Sequence, residues 1–118
     1  MYGLRKDEDL NFLTGKELIQ VRVGRFQVTL IFEGDVSISI EGVFDHEIEG
    51  KSIKPSNELP HSAASLLGIV GNKIIAVNNP GNGTLKIELS GGSILKIHDN
   101  NPHFESYHVS APAQRIIV

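Results

Sequence analysis

His98, Asp99, His103, Glu105 and His108 fall within eleven residues of one another, the densest grouping in the sequence of side chains that hold metals or move protons. Imidazole and carboxylate are the ordinary ligands of zinc and similar ions. Their spacing works against one shared site. On a strand following Pro102, Phe104, Ser106 and His108 share one face, whereas Glu105 and His108 point to opposite faces. His98 and His103 can still meet across the Asn100-Asn101-Pro102 turn. A metal-dependent or general-base enzyme built on His98, His103 and His108 is therefore one alternative. The simpler reading makes them polar strand-face and turn residues, with no metal or other cofactor.

Asp45-His46-Glu47 is a second candidate, because a carboxylate beside an imidazole can orient it and raise its basicity. Adjacent strand residues face opposite ways, however, and no nucleophile accompanies the group. The wider segment says more. Between Arg25 and Lys51 there is no Lys or Arg, while Glu33, Asp35, Glu41, Asp45, Glu47 and Glu49 fall in that interval. Such a stretch repels phosphate and attracts a basic partner. The candidate partner-binding residues are Glu41, Asp45, Glu47 and Glu49, with Val43 and Phe44 expected exposed among them as an apolar anchor.

Other chemistry is excluded more firmly. The chain of 118 residues has no cysteine, which removes disulfides, thiolate metal sites and cysteine nucleophiles. It carries no Gly-x-x-x-x-Gly-Lys-Ser/Thr, His-Glu-x-x-His, Gly-x-Ser-x-Gly or Gly-x-Gly-x-x-Gly motif. A net charge of −3 lacks the footprint of a nucleic-acid binder. Arg5, Lys6, Asp7, Glu8 and Asp9 are followed by no apolar run of the kind a secretory signal needs, and no stretch approaches a membrane span. Those features lead to the expectation of a cytoplasmic protein, with Asn82-Gly83-Thr84 a turn rather than a glycosylation site.

The elements that must position these side chains are strands. Ile19, Val21 and Val23 alternate with Gln20 and Arg22; Phe26, Val28, Leu30 and Phe32 share a face; so do Val36, Ile38 and Ile40. Turns near Gly24 and at Glu33-Gly34-Asp35 join them into a meander. From Phe44 to Asn57 the pattern breaks and reads as a long loop or irregular edge strand. Leu59, Ala63, Leu66 and Leu67, with Pro60 early and Gly68 at the end, predict one short α-helix near residues 58–68. Further strands are expected at 73–77, 84–89, 94–97, 104–109 and 115–118. Phe26, Phe32 and Phe104 are assigned to the core, and Tyr107 to the surface.

The two halves also resemble each other. Gly15 to Val21 lie over Gly71 to Val77, and Val28, Leu30, Phe32, Gly34, Ile38 and Ile40 lie over Leu85, Ile87, Leu89, Gly91, Leu95 and Ile97, at an offset of about 56 to 57 residues. An internal repeat of 13–41 in 69–98 would make two equivalent meanders around one core.

Leu13-Thr14-Gly15, Leu66-Leu67-Gly68-x-x-Gly71, Gly83-Thr84-Leu85-x-Ile87-x-Leu89-x-x-Gly92-x-x-Leu95 and Phe104-Glu105-Ser106-Tyr107 before Ala111-Pro112 together span most of the chain. With these the sequence resembles a family of small, mostly uncharacterised bacterial β-rich proteins, some thought to be immunity proteins encoded beside secreted toxins. Tyr107 stands where that family's pattern has Trp. The resemblance implies a β fold and, by analogy, an immunity role.

The fold expected is mainly β: an antiparallel sandwich or barrel of about eight strands in a single domain, 1–118, with one short helix. The function expected is non-enzymatic protein binding, with an immunity protein neutralising a basic toxin domain as its specific form. The other alternative is a structural subunit that self-associates as a homodimer through an edge such as Arg115-Ile116-Ile117-Val118.

Overall fold

A computed structural model describes residues 10–42, 44–53, 61–79, 84–98, 107–112 and 114–117. Its strands are β1 (Leu18–Val23), β2 (Val28–Phe32), β3 (Val36–Ile40), β4 (Phe44–Ile48), β5 (Lys51–Ile53), β6 (Ile74–Asn78), β7 (Leu85–Leu89), β8 (Ser93–Ile97), β9 (Tyr107–Ala111) and β10 (Gln114–Ile117). They form two antiparallel five-stranded sheets, ordered β1-β2-β3-β9-β10 and β5-β4-β8-β7-β6. The fold is mainly β, as the alternation predicts.

Strict alternation places Val28, Leu30, Phe32, Val36, Ile38 and Ile40 of the first sheet against Leu85, Ile87, Leu89, Leu95 and Ile97 of the second, all buried in one core. Each such side chain contributes about 1.5–3 kcal/mol by leaving water. The segment expected as a long loop or irregular edge strand from Phe44 supplies the β4–β5 hairpin, in which β5 is an edge strand and β4 lies inside its sheet between β5 and β8. Its inward pair is Phe44 and His46. The histidine disguised the alternation.

The predicted α-helix is a 3-10 helix, His61–Ile69. At three residues per turn, positions three apart share a face, and Leu66 and Ile69 are both buried while Leu67 is exposed. Leu59 and Pro60 lie outside the described residues. A shorter 3-10 helix, Asn11–Leu13, makes the same inward pair from Leu10 and Leu13.

In β1 the predicted inward run Ile19, Val21, Val23 is broken by a bulge. Leu18 pairs with Phe32 and Gln20 with Ile31, so Ile19 is extruded and half exposed. Ile75 is extruded likewise between Ile74, paired with Leu89, and Ala76, paired with Glu88.

The two halves pair their strands in the same pattern. Gly15 N–H donates to Ile74 O and Gly71 N–H to Leu18 O, both at 2.7 Å. Leu18 N–H donates to Asn72 O at 2.8 Å and Ile74 N–H to Lys16 O at 2.9 Å. Glu17 and Lys73 bridge at the centre of this reciprocal set, where an approximate two-fold axis passes between the sheets. The later hairpins are interleaved: β4–β5 adds to the sheet of β7 and β8, while β9–β10 adds to that of β2 and β3. Phe44 pairs with Ile97 as Tyr107 pairs with Ile40, and Asp45 with Lys96 as His108 with Ser39.

The interleaving sorts the connections by end. The chain leaves β3 at Ile40 and enters β4 of the other sheet at Phe44, and both residues lie at the same end as the β1–β2 turn and the last residue of β8. The Glu33-Gly34-Asp35, Glu49-Gly50 and Gly91-Gly92 turns lie at the opposite end.

Candidate functional site

Three consecutive residues of β4 have three different fates. Asp45 and Glu47 project outward, and His46 projects into the core with 2% of its surface exposed. The neighbouring carboxylates therefore do not orient the imidazole. Its Nδ1 lies 2.8 Å from Ser65 Oγ of the 3-10 helix, and its Nε2 lies 3.1 Å from buried Ser93 Oγ at the start of β8. Burial pushes this imidazole below its ordinary 6.5, since the charged form would lose its water. With both ring nitrogens engaged and the ring sealed, His46 ties the helix to the second sheet; it is not placed to abstract a substrate proton. The equivalents of His46 and Ser93 in the other half are Val109 and Val36, both buried.

On the outer face, Asp45 turns toward the end of β8. Its Oδ2 accepts from His98 Nε2–H at 2.8 Å, and His98 Nδ1 lies 3.2 Å from Thr84 Oγ1 at the entrance to β7. A carboxylate only accepts, so in the neutral ring Nε2 bears the proton and Nδ1 accepts from the threonine hydroxyl. The result is a hydroxyl, imidazole and carboxylate in sequence, open to solvent.

The acidic interval does not form one surface. Glu47 pairs with Lys96 at 3.0 Å, Asp45 with His98, and Glu33 Oε1 accepts from Glu17 N–H at 3.1 Å. Glu41 is exposed directly after the last residue of β3, and Glu49 is exposed in the turn at the opposite end. Phe44, expected as an exposed anchor, is 6% exposed and packs in the core, because an inward position of an interior strand leaves an aromatic ring nowhere else to go. Val43 lies outside the described residues.

Among the described residues the exposed aromatic is Phe26, assigned above to the core. Val23 pairs with Val28, which leaves residues 24–27 as a turn closed by Gly24 N–H donating to Gln27 O at 2.8 Å. Phe26 stands at its tip, 73% exposed, with the Arg25 guanidinium 4.9 Å from the ring centroid. Tyr107, assigned to the surface, is fully buried opposite Ile40. Gly24, four residues before Val28, marks Phe26 as turn rather than strand; nothing in the sequence marked Thr84, Ser65 or Ser93 as partners of the histidines.

The histidine cluster divides. His98 projects from the outer face of one sheet, and His108, opposite Ser39, from the outer face of the other, with the core between them. They cannot share an ion across sheets spaced about 10 Å apart. His103, Phe104 and Glu105 lie outside the described residues. Among the described residues no group of three or more His, Cys, Asp or Glu side chains is placed to hold a metal. No helix there is long and apolar enough to cross a membrane.

Residues 10–118 match the family described as "Family of unknown function (DUF6188)". No curated protein and no solved structure matches the chain.

Proposed function

The chain belongs to this family of unknown function, and on that footing we propose that it is a non-enzymatic protein-binding module whose contact surface is the end of the sandwich carrying Phe26. The observation that carries this reading is a phenylalanine 73% exposed on a closed turn, with an arginine over its ring. Aromatic and arginine side chains are the types that dominate binding energy at interfaces. Glu41 and the outward carboxylate of Asp45 flank the same end and would favour a basic partner. The specific form we propose is an immunity protein that covers a basic toxin domain.

The test is pull-down of the adjacent gene's product by wild type, Phe26→Ala, Glu41→Lys and Glu49→Lys. Loss of binding by at least about tenfold in the first two, with Glu49→Lys near wild type, is the expected result. Equal binding by all four sinks this assignment of the surface.

A second reading rests on the Thr84, His98 and Asp45 alignment, in which His98 would act as a general base on the Thr84 hydroxyl. The Thr84 oxygen would attack the carbonyl of an activated ester as its proton passes to His98 Nδ1, the ester's C–O bond would break and its alcohol leave with that proton, and the acyl group left on Thr84 would be detectable by mass spectrometry and lost in His98→Ala. An unmodified Thr84 after prolonged exposure removes this reading.

A further inference from the structure

We propose that this chain exchanges halves with a second copy of itself, giving an intertwined dimer in which residues 10–53 of each copy pack against residues 61–117 of the other. The inference starts from the interleaving of the hairpins. Within residues 10–53, β4–β5 does not pair with β1, β2 or β3; its partner is β8. Within residues 61–117, β9–β10 likewise pairs with β3 rather than with β6, β7 or β8. Each half therefore presents an open strand edge and a detached hairpin, and each is completed only by the other.

The surfaces that meet are equivalent ones. Ile40 against Tyr107 repeats Ile97 against Phe44, Ile38 against Val109 repeats Leu95 against His46, and the reciprocal bonds of Gly15 and Gly71 close the corner around Glu17 and Lys73. A complementary half from another copy fits the same edge through the same hydrogen bonds. The closed monomer and the exchanged dimer make these contacts alike, so concentration decides between them. Two units joined in one chain by a few residues meet at an effective concentration of about millimolar, so protein refolded near that concentration partitions into the exchanged form.

The native absence of cysteine makes the test direct. Glu17→Cys and Lys73→Cys place one thiol each on opposite sides of the bridge, where directly opposed strand residues have Cα atoms within disulfide reach. The double variant E17C/K73C, refolded dilute, closes an intrachain disulfide and establishes that the pair can bond; if it does not close, Ser39→Cys with His108→Cys takes its place. The two single variants are then unfolded, mixed, refolded together at about 1 mM and oxidised. The expected product is a covalent heterodimer on non-reducing gels, absent when each is refolded dilute before mixing. Heterodimer bands no stronger than the like-with-like bands, or monomer alone, overturn the proposal. A non-covalent dimer that yields no cross-link does so too, because it shows association through outer surfaces.

Discussion

Glu17 and Lys73 face each other across the axis that relates the two halves, one leading into each sheet. Gly15 and Gly71 flank this bridge at φ 89° and 98°, with nothing within 4 Å of the position a Cβ would take. An alanine at either place meets no atom and still strains the backbone. Gly15→Ala and Gly71→Ala are therefore each expected to lower stability by about 1–2 kcal/mol, and by similar amounts, in urea unfolding. A cost confined to one of them would show that the halves are not energetically equivalent at this corner.

Stability should depend on His46 in a definite direction. Burial holds its folded-state pKa below 6.5, so the unfolded chain takes up the proton first as pH falls. Its contribution is fully present above about 6.5 and declines below that value. Denaturant midpoints between pH 8 and pH 5 should fall, and the fall should shrink in His46→Val. An unchanged slope in that variant would place the acid sensitivity elsewhere.

The same histidine can be replaced with its neighbour. Ser93→Val alone leaves a buried ring nitrogen without its partner and should cost about 1–3 kcal/mol. The pair His46→Val with Ser93→Val copies the Val109 and Val36 arrangement already buried in the other half. With Ser65→Ala added, since that hydroxyl also loses its imidazole partner, it should fall within about 1 kcal/mol of wild type in equilibrium unfolding. Additive losses from the two single changes would contradict this.

Glu49 sits at φ 52° and Gly50 at φ 82°, in the two-residue turn between paired Ile48 and Lys51. Left-handed backbone suits asparagine better than glutamate. Glu49→Asn is expected to raise stability by about 0.5–1 kcal/mol in thermal unfolding. A lowered midpoint would mean that the carboxylate has a stabilising role of its own.

Phe26 and Tyr107 should separate stability from recognition. Phe26→Ala, at an exposed tip, is expected to stay within about 0.5 kcal/mol of wild type. Tyr107→Ala empties a fully buried site and should cost about 3–5 kcal/mol. A large loss from Phe26→Ala in free protein would take away its role as a surface kept for a partner.

Where side chains alternate without interruption, as from Val28 to Ile40, the strands and their inward faces could be read directly from residue type. The same rule failed in β4, where His46 occupies an inward position and passes for solvated sequence. Its burial depends on Ser65 and Ser93, which come from elements remote in sequence, and no local pattern announces that meeting. Phe26 failed for the opposite reason: it keeps the phase of Val28 and Leu30 but lies beyond the last paired residue. Asp45, His98 and Thr84 were visible as reactive types only in the first two cases. Their alignment follows from β4 joining β8, which the hydropathy pattern does not encode.

Interleaved hairpins also set an order of events during synthesis. When residues up to Ile53 have emerged from the ribosome, β1, β2 and β3 can pair, but β4 has nothing to join until β8 arrives. The open side of β3 then waits longer still, for β9. Pairings this distant in sequence close slowly and leave strand edges bare in the meantime. The nascent chain therefore carries an unpaired edge on β3 until the last hairpin, β9–β10, has been made.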